Sequence, residues 1–157
     1  MIRLISLLLL FITLSLNAQL KSPSEFLGYE IGSEFSRHAD VVNYFKHVAN
    51  NSDLVTYQSY GKTNERRPLT YAIVTSTTNM ANIDKIRRDN LKNIGLENGS
   101  SNPEIAIVWL SFNVHGNEAS STEASMTTLY KLITEKKEWL NNTCLLYTSP
   151  SPRDQAK

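Results

Sequence analysis

Two residues able to bind a metal ion stand three positions apart in the stretch AIVWLSFNVHGNEASSTEASM: His115 and Glu118. Zinc in proteins binds imidazole nitrogen and carboxylate oxygen at roughly 2.0–2.2 Å, so the pair could supply two ligands of one site. A hydrogen-bonded pair in a polar loop is the alternative, because a Glu three residues after a His also arises by chance. The residues around the pair decide between these two interpretations.

The pair lies between a candidate strand and a candidate helix. EIAIVWLSF, residues 104–112, is an unbroken apolar run typical of a strand covered on both faces. Ser120 and Glu123 predict a capping box at the start of the next helix, whose N-terminus favours the carboxylate form of Glu118. Gly116 lets the backbone turn without a Cβ clash. Ligands of open α/β sheets bind beyond the carboxyl ends of strands, so this context favours a metal site.

The rest of the chain predicts an α/β fold with a mixed β-sheet flanked by helices. Apolar residues at helical spacing predict a helix in SRHADVVNYFKHVANNS, with Ser36 as a possible N-cap and Asn50-Asn51 at its end. LVTYQSYGK and LTYAIVTST, joined by TNERRP, predict a β-hairpin. NMANIDKIRRDNLKNIG predicts another helix, followed by Gly95 as its C′ residue.

The composition limits the classes of partner. The formal net charge is +1, with no basic or acidic block, so the sequence predicts no binding to nucleic acid or to an anionic membrane surface. The chain has one cysteine, Cys144, and therefore no internal disulfide. Its stability must come from packing.

The first eighteen residues have the layout of a secretory signal peptide. Arg3 is followed by an apolar run over residues 4–16 and by the small residue Ala18 before a plausible cleavage site. The run is shorter than the roughly 20 apolar residues of a membrane span, so we expect no membrane span after cleavage. The sequence thus predicts an exported protein, periplasmic or extracellular, with an uncleaved anchor as the alternative.

The C-terminal residues 144–157 differ in character from the rest. CLLYTSPSPRD, residues 144–154, resembles a translated transposase-end adapter from sequencing libraries, and its two Ser-Pro pairs interrupt regular structure. We therefore predict an artefact tail outside the fold, with a natural Pro-rich tail as the alternative. Residues 19–143 would then be the N-terminal part of a larger domain, poorly soluble because one sheet edge is uncovered.

Two stretches together resemble the zinc carboxypeptidases of the carboxypeptidase A type, peptidase family M14. They are VHGNEASSTEA after IVWLSFN, and YGKTNERRPLTYAIVTS upstream, and the similarity spans roughly residues 26–140. Two positions depart from the family's pattern. Asn117 stands where some members carry an arginine, and Arg66 stands where glycine is usual before Arg-Pro.

The resemblance implies that His115 and Glu118 are zinc ligands and that one Zn²⁺ binds per full-length domain. It also implies a third ligand, a histidine, completing the two-histidine, one-glutamate set of carboxypeptidase A. That histidine, a catalytic glutamate and an Asn-Arg pair for the substrate's terminal carboxylate are all expected beyond Thr143. The implied function is hydrolysis of C-terminal peptide bonds of peptides or proteins by a metal-activated water. The chain as given is expected to be inactive.

Two other readings of function stay open. The same scaffold could be a non-catalytic module that binds zinc or peptides. It could also be a related zinc hydrolase acting on cell-wall peptides or N-acyl amino acids. The remaining histidines, His38 and His47, do not match the family's ligands, and we interpret both as surface or partly packed residues.

Overall fold

The structure is a computed structural model that describes residues 19–113, 115 and 119–148. Within these residues the α-helices are numbered in chain order as follows: α1 Pro23–Leu27, α2 His38–Asn50, α3 Thr77–Ala81, α4 Ile83–Asn93 and α5 Ser120–Thr134. A short 3₁₀ helix follows at Lys137–Asn141. No helix in the described part of the chain is long and apolar enough to cross a bilayer.

The strands form one mixed sheet, as the sequence predicts. They are β1 Val55–Lys62, β2 Pro68–Val74, β3 Ala106–Ser111 and β4 Thr143–Thr148. Their order across the sheet is β1-β2-β4-β3. β2 pairs with both β1 and β4 in antiparallel fashion, whereas β3 and β4 run parallel. β3, α5 and β4 are therefore a strand–helix–strand unit, the connection that parallel strands require.

Strand β4 corrects the prediction that residues 144–157 lie outside the fold for residues 144–148, while residues 149–157 lie outside the described residues. Thr143–Thr148 pairs with β2 on one side and with β3 on the other, so it occupies an inner position in the sheet. Cys144, Leu145 and Tyr147 are buried there. The backbone of the stretch pairs with β2 and with β3. An inner strand needs apolar side chains and free backbone groups, and CLLYT has both. The resemblance of the stretch to an adapter stays a prediction.

The core lies between the sheet and the two long helices α2 and α5. The two helices pack against each other, and α2 also packs against β1. The apolar spacing that predicted α2 is confirmed, because the predicted residues are its buried face. The buried cluster comprises Val41, Tyr44, Phe45, Val48, Val55, Ala72, Val74, Met126, Leu129, Ile133, Leu140, Leu145 and Tyr147.

Within the described residues, strand β3 is not covered on both faces, contrary to the prediction. It is the last strand of the described sheet, and Trp109 is 67% exposed, with Ile107 and Val108 at 42% and 40%. The apolar run does form a strand, but the helices that follow and precede it do not shield it. Leu110 and Phe112 alone of this stretch pack against the core. An uncovered apolar edge of this kind favours association with other chains.

Helix boundaries differ from the predictions by small amounts. Helix α2 begins after Arg37, not Ser36, since the Ser36 hydroxyl is engaged elsewhere and the Arg37 amide binds Asp40 at its Oδ2. The helix ends at Asn50 with Asn51 as C-cap, as expected. The helix predicted before Gly95 is split into α3 and α4, because Asn82 leaves the helical region with φ −112° and ψ 18°.

The predicted hairpin of β1 and β2 is confirmed, and its turn explains an unusual residue. The Arg66 amide donates to the Thr63 carbonyl at 2.8 Å, and the Thr63 amide donates to the Arg67 carbonyl at 2.9 Å. This closes a short loop whose last residue, Arg66, has φ 65°. Such loops place a left-handed residue before the second strand, where glycine fits best. The glycine usual at this position in the carboxypeptidases that the sequence resembles therefore has a conformational reason.

Replacing Arg66 by glycine is expected to stabilise the protein. The left-handed conformation disfavours a residue with a Cβ, so relief of that strain should add about 0.5–1 kcal/mol to the free energy of unfolding. Urea denaturation measures this change. Arg66→Ala is the matched control, because it removes the same charge and keeps the Cβ; it should gain nothing. Equal stability of the glycine and alanine variants would show that charge, not backbone strain, governs the position.

Candidate metal centre

His115 lies just beyond the carboxyl ends of two adjacent parallel strands. Ser111 at the end of β3 is opposite Thr148 at the end of β4, and the Phe112 amide donates to the Thr148 carbonyl at 3.0 Å. His115 follows within a few residues, and its side chain is exposed. The position matches the expectation that ligands of α/β sheets bind at this end. An exposed imidazole at such an edge is available to a metal or a substrate.

Asn113 fastens the loop that carries His115. Asn113 is 2% exposed, and its Oδ1 accepts hydrogen bonds from Thr122 Oγ1 at 3.0 Å and Ser121 Oγ at 3.2 Å. The bonds tie the end of the strand stretch to the first turn of α5. Asn113 has φ 56°, a left-handed conformation that asparagine tolerates better than most residues. The loop is therefore short and closed at its base.

The short loop limits how far apart the two predicted ligands can lie. Glu118 lies outside the described residues, so the structure does not place its carboxylate. Three residues of fully extended chain span at most roughly 10 Å, which is the upper limit for the distance between the Cα atoms of positions 115 and 118. Both side chains are long enough to meet across such a distance.

The predicted capping box at the start of α5 is wrong. The helix follows Ala119, and no hydrogen bond from that residue's side chain caps it. Glu123 is instead 6% exposed, and its two oxygens accept from the Gly32 amide at 2.5 Å and the Ser36 hydroxyl at 2.9 Å. The carboxylate thus binds the N-terminal segment of the chain to α5. Spacing within the helix could not reveal this, because the partners are 91 and 87 residues away.

The donor set in the described part of the chain fits zinc only in part. An exposed imidazole at a strand end is a suitable ligand, and His115 supplies it. Among residues 19–113, 115 and 119–148, no group of three or more His, Cys, Asp or Glu side chains could hold a metal ion. Catalytic zinc has three protein ligands. A pair from one loop would therefore give weak binding.

The other two histidines lie on α2 and not on the loop after β3. His47 is partly buried, and its Nε2 accepts from the Lys21 amide at 3.0 Å; burial and then the Lys21 charge lower its pKa. His38 is 7% exposed, so it is more buried than the sequence suggested. Burial lowers its pKa, with the nearby Arg67 charge as the second cause. Both are expected to be neutral at pH 7.

The structure defines the class of protein first: it is an α/β protein with a mixed sheet, and the loop that contains His115 follows strand β3. The fold is similar to the crystal structure of carboxypeptidase A from Helicoverpa armigera, with a TM-score of 0.53 and 16% identity. The similarity covers 80% of this chain and 29% of that one, so the chain spans less than a third of that protein's length. No curated protein sequence matches the chain.

The family model for zinc carboxypeptidases matches residues 41–147. The chain therefore belongs to the zinc carboxypeptidase family, as the two sequence stretches indicated. The match includes most of helix α2, the hairpin, strand β3, the His115 loop and most of β4.

Proposed function

We propose that this chain is part of an exported zinc metallocarboxypeptidase that removes residues from the C-termini of peptides or proteins. The single observation that carries the proposal is the position of His115, exposed beyond the paired ends of β3 and β4 in a chain of the zinc carboxypeptidase family. Export is proposed from the signal-like residues 1–18, which lie outside the described residues.

In this proposal His115 and Glu118 hold the zinc. The imidazole would bind as the neutral form and the glutamate as the carboxylate, which the adjacent N-terminus of α5 favours. Bound zinc would polarise the substrate carbonyl and lower the pKa of a water molecule. Asn113 is a positioning residue here, because it holds the base of the loop through the hydroxyls of Ser121 and Thr122. Two ligands are fewer than a catalytic zinc uses, so we propose that this chain alone is inactive.

The test is a peptide assay on the protein purified from the organism that encodes it. We expect release of C-terminal residues from peptides with a free carboxylate and none from matched peptides with an amidated C-terminus. A zinc chelator should abolish the activity, and added zinc should restore it. The activity should be found in the exported fraction of the cells. Equal cleavage of free and amidated peptides would contradict the proposed specificity.

His115→Ala is the variant that connects the assay to the site. Loss of one zinc ligand should lower activity by at least about 10²-fold, since ligand removal costs metal affinity and catalysis together. His47→Gln is the matched control, because it removes an imidazole from α2 and leaves the loop unchanged. Activity of His115→Ala equal to that of the control would exclude His115 as a ligand.

A further inference from the structure

A cleft lies between the N-terminus of α2 and the turn of the β1–β2 hairpin. Its volume is about 630 Å³. The side chains that line it and matter here are Arg37, His38, Val42, Arg66, Arg67 and Pro68. The cleft is distinct from the His115 loop, since none of its lining residues comes from β3 or α5.

Positive charge converges on this cleft from two elements. Arg37 precedes α2, while Arg66 and Arg67 belong to the hairpin turn. Arg67 forms an ion pair with Glu65 at 3.1 Å, which offsets part of its charge. Within the part of the chain that the structure describes, neither Arg37 nor Arg66 forms an ion pair. Asp40 is the nearby acid, and its Oδ2 already accepts from the Arg37 amide at 2.7 Å.

His38 adds a buried polar atom without a partner. The residue is 7% exposed and lines the cleft, and its Nε2 has no hydrogen-bond partner among the described residues. Leaving a buried polar group unpaired is unfavourable, so such atoms in folded proteins call for an explanation. Burial and the Arg67 charge lower the pKa of His38, and the Pro68 carbonyl opposes the shift. In the tautomer that carries its proton on Nε2, a neutral imidazole can donate one hydrogen bond to a ligand in the cleft.

The backbone of α2 also favours the binding of an anion in the cleft. The helix is thirteen residues long, and its positive N-terminal end lies at the cleft. The first amides of a helix have no partner within the helix and bind anions readily. Arginine side chains suit the same ligands, because their planar guanidinium groups donate two parallel hydrogen bonds to carboxylate or phosphate.

We propose that this cleft binds an oxyanion, a carboxylate or a phosphate group, between Arg37, Arg66 and His38. Strand directions place it at the same end of the sheet as His115. β2 begins at Pro68 and runs antiparallel to β4, so its start lies where β3 and β4 end. β4 separates β2 from β3, and two strand spacings are roughly 10 Å. The site is therefore a neighbour of the histidine loop and does not depend on zinc.

The experiment is a titration of the whole chain with inorganic phosphate and, separately, with acetate at constant ionic strength. Calorimetry gives the affinity, and the NMR signals of the His38 ring report occupancy of the cleft. We expect saturable binding with a Kd in the millimolar range or tighter. Saturation by phosphate alone identifies a phosphate group as the ligand, and saturation by acetate alone identifies a carboxylate. Saturation by neither below about 20 mM overturns the proposal.

Arg66→Gly separates binding from folding, because this substitution is expected to stabilise the hairpin turn. Its affinity for the bound anion should fall about tenfold, the loss of one charge-assisted hydrogen bond. Arg87→Gln removes the same charge from an exposed position on α4 and serves as the control. Its affinity should stay within about twofold of the wild type. An equal decrease in affinity in both variants would show that only the net charge of the protein matters, and it would overturn the assignment of the site.

Discussion

Replacing Tyr147 by alanine should destabilise the chain by about 3–5 kcal/mol, the largest effect that we expect from a single substitution. Tyr147 is fully buried in the inner strand β4. Its ring lies 5.0 Å from Phe112 in a stacked arrangement and 5.3 Å from Phe45. Removal of the ring leaves a cavity between the sheet and the helices that the surrounding core cannot fill.

Tyr147→Phe divides this effect into its parts. The Tyr147 hydroxyl donates to the Ser125 carbonyl of α5 at 2.6 Å, and the phenylalanine variant removes only that bond. We expect a loss of about 1 kcal/mol. Tyr60→Ala is the control for ring loss on the surface, because Tyr60 is 63% exposed on β1. Urea denaturation of the three variants gives the free energies. A Tyr147→Ala loss no greater than that of Tyr60→Ala would mean that β4 does not lie inside the sheet.

Replacing Glu123 by alanine should cost about 3 kcal/mol. Both carboxylate oxygens accept hydrogen bonds from the N-terminal segment, and bonds to a charged acceptor are stronger than neutral ones. The Tyr29 hydroxyl lies 2.7 Å from Ser36 Oγ, which donates to Glu123, so the loss spreads through a connected network. Without the carboxylate, the Gly32 amide and the Ser36 hydroxyl have no acceptor in place.

Two further variants test whether the hydrogen bonds of Glu123 cause this loss of stability. Glu123→Gln keeps one acceptor oxygen for Ser36 but turns an amide NH₂ group toward the Gly32 amide, so we expect an intermediate loss. Glu135→Ala removes an exposed glutamate at the C-terminal end of the same helix and should change stability by less than about 0.5 kcal/mol. Hydrogen exchange at the Gly32 amide should rise in Glu123→Ala. Unchanged exchange there would indicate that the bond contributes no protection.

The fold was predictable where periodicity and turn chemistry act locally. Apolar residues three and four positions apart predicted the buried face of α2, and alternation around TNERRP predicted the hairpin. Gly95 was expected to follow a helix, and it does so with φ 77°. In each case the residues that carry the signal are also the residues that form the element, so a short window of sequence contains the answer.

Burial and long-range pairing were not predictable in this way. The apolar stretch IAIVWL is a strand, but its exposure depends on what lies beside it in the sheet, and Trp109 has no covering layer in the described structure. The Ser-Pro pairs after CLLYT suggested a tail without structure, yet the five apolar and small residues before them pair with two strands. Pairing partners that lie 37 or more residues away in the sequence leave no periodic signal in either segment.

The sequence predicted that His115 follows a strand, and the structure places it four residues after the end of β3. The role of His115 and Glu118 as metal ligands stays a prediction. The role of Asn113 was missed, although an asparagine directly after a strand is a common left-handed residue and was a usable signal. The spacing between Ser120 and Glu123 predicts a local cap, which the fold does not contain. The competing interaction with Gly32 is stronger in the fold, since it satisfies a carboxylate that is buried.

We propose that His115 and Glu118 bind one divalent cation. Titration of the chain with Zn²⁺, followed by the NMR signals of the histidine rings, tests it most directly. We expect weak saturable binding with a Kd on the order of 0.1 mM, a selective shift of the His115 signals, and at least about tenfold weaker binding in both His115→Ala and Glu118→Ala. His47→Gln should bind as the wild type does. Zinc affinity that is unchanged in either ligand variant would contradict the claim.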